Sequence, residues 1–130
     1  MADERDVKGG RPGATGGDLS AEGSGTTVAE TERAVDEWRR RIDVIDDQLT
    51  KLLNSRSACA VEIGRLKRHV GMPVYQPGRE KWILDRVERN NPGPLDSGAV
   101  RRVFERIIDE GRRLERLAGE AEAGEDGKQP

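Results

Sequence analysis

The sequence predicts an all-α protein. Apolar residues recur three and four positions apart without interruption between Val35 and Val70, and two later segments repeat that period. No stretch reads as a strand longer than a few residues. Dense clusters of glycine and proline separate the three periodic segments, as turns do.

The first helix carries Val35, Trp38, Ile42, Ile45, Leu49, Leu52, Arg56, Cys59, Ile63, Leu66 and Val70 on one seam. Alternation of three and four over this length is the pattern of a helix packed lengthwise on another. Over 30–68 it would extend on the order of 60 Å, too long for a compact monomer of 130 residues. Gly71, Met72 and Pro73 stop it, a glycine cap followed by a residue that cannot continue the helix.

A short extended piece over 73–76 follows, and Pro77 suits the first position of a new helix. This second helix, about 77–90, places Glu80, Ile83, Leu84 and Val87 on one face. The run NNPGP at 90–94 breaks it. Asp96 or Ser97 caps the third helix, expected to end near Leu117. Its inner stripe is Val100, Val103, Phe104, Ile107, Ile108, Gly111 and Leu114.

The segments 1–27 and 118–130 are poor in aliphatic residues and read as disordered tails around one helical domain at 28–117. Trimming them is expected to leave a core untouched. The N-terminal stretch has no apolar core of a secretory signal, and nothing is long enough to span a membrane, so the expected compartment is the cytoplasm. With 33% hydrophobic and 37% charged residues, a monomer of this size would be marginal, and oligomerisation is the usual remedy. A net charge of −2 and one tyrosine, one phenylalanine and two tryptophans give nucleic-acid binding little support. The single Cys59 excludes an intrachain disulfide, and a lone His69 argues against a metal site.

Four ionisable residues stand on inward faces. Arg56 sits in the first seam, and Lys67 lies eleven residues on, within about 20° of the same direction. Glu80 lies on the inner face of the second helix, and Glu115 follows Ile108 by seven residues on the third. Each has a plain explanation: snorkelling, a frayed end, or, for Arg56, a polar residue that fixes coiled-coil register. Together they describe a site, since buried charges persist only when paired or bound to a ligand. A cationic pair facing inward suits a small dianion, which guanidinium groups bind through their carboxylates. Arg39 is another inner-edge cation, 17 residues before Arg56, so about 25 Å away along a straight helix and turned by roughly 100°. One copy of the helix cannot supply both to one pocket, but an antiparallel partner can.

The segments WRRRIDVIDDQLTKLLNSRSACAVEIGRLKRHVGMPVYQPGREKWILDRV and VRRVFERIIDEGRRLE resemble the all-helical chorismate mutases of the AroQ class. That resemblance implies an intertwined homodimer with three helices per chain and two shared sites. It implies the rearrangement of chorismate to prephenate, toward phenylalanine and tyrosine, without a cofactor. Carried over by position, Arg39 of the partner subunit and Arg56 hold the two carboxylates, and Lys67 donates to the ether oxygen. Arg79 orders the site, Glu80 accepts from the ring hydroxyl, and Glu115 contacts the ether oxygen with the lysine. Gln76 stands where an aspartate is common, Gly111 replaces a small hydroxyl residue that touches a carboxylate, and Glu115 replaces a glutamine found in some members. Relatives of this fold that rearrange 4-amino-4-deoxychorismate or eliminate pyruvate from isochorismate stay open as alternatives. So does a helical dimerisation module without catalysis, and so does control by another enzyme of the shikimate pathway.

Overall fold

The computed structural model describes residues 25–127 and contains three helices and no strand among them. These are α1 (Val28–His69), α2 (Pro77–Arg89) and α3 (Ser97–Gly127). The expectation for 1–24 and 128–130 lies outside the described residues. Contacts divide the chain into an N-terminal unit ending at Asp46 and a C-terminal unit beginning at Asp47, and α1 runs through both.

α1 opens at Val28, two residues before the 30–68 span used to gauge its length, and the reason is a capping box. The Thr27 hydroxyl accepts from the Glu30 amide at 3.0 Å, and the Glu30 carboxylate accepts from the Thr27 amide at 3.1 Å, satisfying two backbone donors at once. The helix closes as the sequence predicts. Gly71 adopts φ +74°, Met72 N donates to Lys67 O at 2.8 Å and Gly71 N to Arg68 O at 3.2 Å. This pair of bonds, six-to-one and five-to-two, is a Schellman termination, and its left-handed residue favours glycine.

α2 begins with Pro77 in its first turn, behind an extended Gln76 whose side chain makes no cap bond. Asp96 caps α3, its carboxylate accepting from the Ala99 amide at 2.8 Å. α2 packs on α3 around Leu84 and Ile108, the buried apolar side chains among the described residues. Arg101 of α3 ties the pair at its edge, 3.4 Å from both Asp85 and Glu88 of α2.

The C-terminal half of α1 meets α3 where small residues let the helices approach. Gly64 and Gly111 are both buried. A Cβ added at Gly64 would lie 3.4 Å from Glu115 Cγ, and one at Gly111 would lie 3.7 Å from an Arg56 guanidinium nitrogen. Farther along, Gly119 lies under Arg68, whose guanidinium reaches Glu122 at 3.0 Å and the Glu115 carbonyl at 3.4 Å.

This corrects the expected end of α3. The helix does not stop at Leu117 but continues through Gly127, so most of the segment assigned to a disordered tail is helical. Its alanines and glutamates are good helix formers, and Arg68 gives the added turns a partner on α1. The apolar stripe thins after Leu117, so hydrophobic periodicity alone could not see the extension.

Candidate active site

The turn that ends α1 makes the site. Because the Schellman bonds reverse the chain at Gly71, residues 74–76 come back alongside the last turn of α1. Lys67 Nζ then donates to Gln76 Oε1 at 2.8 Å and to the Val74 carbonyl at 3.3 Å. An ammonium group has three donors, so one is left for another acceptor. Among the described residues no carboxylate lies within ion-pair distance of this ammonium. The departure from aspartate at position 76 therefore has a physical consequence: a neutral amide fixes Lys67 without cancelling its charge.

A cavity of about 450 Å³ opens beside this lysine, bounded by the second half of α1, the connecting loop, α2 and α3. Arg56, Lys67, Gln76, Arg79, Glu80, Gly111 and Glu115 all line it. Seven of the eight site residues expected from sequence thus converge on one space. Ala60, Ile63, Ile83 and Ile108 supply apolar walls, with Cys59, Val74, Tyr75 and Arg112 completing the lining.

Arg56 is half-buried on the α1 wall and forms no hydrogen bond or ion pair among the described residues. A partly desolvated guanidinium without a protein partner keeps its donors available to an acidic group. Gly111 leaves the space in front of it open. A Cβ there would make only ordinary contact with Arg56, so glycine is compatible with the site rather than demanded by it.

Glu115 packs its stem against Gly64. Its carboxyl pKa is raised, because burial disfavours the charged form by more than Lys67, Arg68, Arg112 and Arg56 favour it. The neutral acid is a hydrogen-bond donor and the carboxylate is not. The sequence reading placed Glu115 near a frayed helix end. The extension of α3 makes it an interior residue instead.

Glu80 is only 23% exposed and faces Arg112, whose Nε lies 3.1 Å from its carboxylate. Arg112 also donates to Asp109 at 2.8 Å and lies over the Tyr75 ring, 4.7 Å from its centroid. Sequence reasoning missed Arg112, although a signal was there: it follows Phe104 and Ile108 at four-residue steps on the inner stripe. Arg79 is exposed at the cavity rim and stacks on the Trp82 ring at 4.7 Å.

Arg39 is the one expected residue that does not line the cavity. Its side chain is 71% exposed and lies 3.8 Å from Asp36, one turn earlier on the same helix. With Arg56, Lys67, Arg79 and Arg112 set against Glu80 and Glu115, the cavity carries an excess of positive charge within largely apolar walls. That combination is chemically complementary to a small anion. No cluster of metal-ligating side chains occurs among the described residues.

Residues 38–116 match the family model for chorismate mutase type II. The chain is 36% identical over 94 residues to the bifunctional chorismate mutase/prephenate dehydratase of Pseudomonas aeruginosa, a match covering 68% of this chain and 26% of that protein. It therefore spans about a quarter of the length of such bifunctional relatives. Among solved structures, the chorismate mutase of Thermus thermophilus (form II) superposes with a TM-score of 0.63 at 31% identity, covering 64% of this chain and 94% of that one. The chorismate mutase of Helicobacter pylori in complex with prephenate gives a TM-score of 0.63 at 25% identity, covering 68% and 96%. With a cavity of this charge and shape on this three-helix frame, the chain belongs to the type II chorismate mutase family.

Proposed function

We propose that this protein converts chorismate to prephenate in the cytoplasm, as a homodimer whose sites are completed by Arg39 of the partner subunit. The observation that carries the reading is the convergence of Arg56, Lys67, Glu80 and Glu115, from three helices, on one cationic cavity. The relatives' names supply the reaction. The cavity supplies groups that suit it.

The rearrangement is a cyclic shift of six electrons. The ether C–O bond breaks as a C–C bond forms between the enolpyruvyl methylene and the ring, and no proton has to move. The chain's tasks are to hold the reactive chair and to stabilise charge that develops between the separating fragments. Arg56 takes one carboxylate, and the partner subunit's Arg39 takes the other. The free donor of Lys67 meets negative charge on the ether oxygen, and neutral Glu115 donates to the same atom. Glu80 accepts from the ring hydroxyl.

Dimerisation is supported by the surface that α1 leaves uncovered. Trp38, Ile42, Ile45, Leu49 and Leu52 are each about half exposed or more, a contiguous apolar seam on a charged chain. Exposed apolar surface on that scale marks an interaction site. Incubating the purified protein with chorismate and identifying the product tests the reading. Prephenate formed in proportion to enzyme supports it, and unchanged chorismate rejects it.

A further inference from the structure

Arg112 links α3 to two other walls of the cavity, α2 and the connecting loop. It projects from α3, meets the Glu80 carboxylate of α2 at 3.1 Å, and lies over the ring of Tyr75 in the connecting loop at 4.7 Å. Its third partner, Asp109 at 2.8 Å, belongs to its own helix and fixes the direction in which the guanidinium leaves it. Nε is buried and finds no acceptor at hydrogen-bonding angle, so the contact with Glu80 is Coulombic rather than a directed bond. Tyr75 itself is about half exposed. With that much of Tyr75 in solvent, stacking on the guanidinium is a contact that can hold the ring in place.

We propose that Arg112 is the positioning residue of this site, a clasp that orients the Glu80 carboxylate and pins the Tyr75 loop across the cavity. This rests on the mutase reading for the task of Glu80 but not for the clasp itself. A planar guanidinium serves both partners at once, one through charge and one through its face. Lysine is a point charge without a planar face, so it serves the ring less well than the carboxylate. The two contacts are also coupled, because a guanidinium held by Asp109 and Glu80 presents its face at a fixed angle to the ring.

Steady-state kinetics on the full chain supply one test. Arg112→Ala is expected to lower kcat/KM about tenfold, mainly through KM, and Arg112→Lys to recover part of the loss. In a Glu80→Gln background the same alanine change should cost no more than about twofold, since its main client is gone. A second readout needs no turnover. Tyr75 is the chain's single tyrosine, so fluorotyrosine labelling gives one fluorine NMR resonance. That resonance should move toward the free-residue position in Arg112→Ala. It should also move in Arg112→Lys, which lacks the stacking face and serves if the alanine variant does not fold. An unmoved resonance in folded protein overturns the clasp, and so does a tenfold kinetic loss that persists undiminished with Glu80→Gln. Wild-type protein that leaves chorismate unchanged, together with Arg112 variants whose fluorine resonance moves, keeps the clasp and rejects the mutase reading.

Discussion

Lys67 Nζ sits 2.8 Å from Gln76 Oε1, across the turn that separates α1 from α2. The bond joins the end of one helix to the residue before the next, and it aims the ammonium group at the cavity. A hydrogen bond from a charged donor contributes about 1.5–3 kcal/mol when its geometry is good. Gln76→Ala is therefore expected to lower kcat by about tenfold with KM changed less, measured by initial rates. Lys67→Met removes the charge itself and should cost on the order of a thousandfold. Equal losses in the two variants would mean that Gln76 does more than orient Lys67.

Glu115 gives the site a pH dependence with a fixed sign. Its pKa is raised in the folded chain, first of all by burial. The protonated form is thus favoured by folding, and the stability it contributes is full below the unfolded pKa and lost as pH rises through the folded one. Above that range the protein carries an unfavourably placed carboxylate. Glu115→Gln should then melt higher than the wild type at alkaline pH, with the difference closing in acid. Activity should follow: the wild type declines as Glu115 ionises, and the glutamine variant flattens that decline. A glutamine variant inactive at every pH with its fold intact would show that the carboxylate, not the acid, is the working form.

Much of this site was legible in the sequence, and for identifiable reasons. Arg56 breaks an otherwise regular apolar seam and Lys67 lies three turns beyond it, so their inward direction follows from helical period alone. Gly71 and Pro77 mark chain reversals whose backbone demands few other residues meet, and both lie where expected. Arg112 was hidden by its surroundings. Among so many arginines on α3, only the step from Ile108 marks it as inward, and its partners Tyr75 and Glu80 lie on other elements. The end of α3 was hidden for a different reason. What holds the last turns is a charge pair with α1, between Arg68 and Glu122, which leaves no apolar pattern.

That pair carries its own consequence. Removing the segment after Leu117 takes away Glu122 and the glycine seat beneath Arg68, so truncation should not be neutral. Glu122→Gln is expected to lower stability by about 0.5 kcal/mol, as a partly exposed ion pair does, and truncation after Leu117 by about 1 kcal/mol or more. Urea denaturation of the three proteins measures both. A truncated chain with an unchanged midpoint would show that the last turns of α3 add nothing to the fold.

Dimerisation should be inseparable from folding. With Leu84 and Ile108 as the buried apolar side chains and the α1 seam uncovered, one chain holds too little core to persist alone. The melting temperature should rise with protein concentration over the micromolar range. A folded monomer at nanomolar concentration in analytical ultracentrifugation would contradict this.

The shared site is the central claim, and complementation between two inactive variants tests it most directly. Arg39→Ala and Arg56→Ala should each abolish chorismate turnover alone. In a heterodimer, two-fold symmetry puts both lesions in one site and leaves the other intact. An equimolar refolded mixture holds about half its chains as heterodimers, each with one working site of two, so about a quarter of wild-type activity should return. A well-folded mixture that stays as inactive as its parents would contradict a site built from two chains.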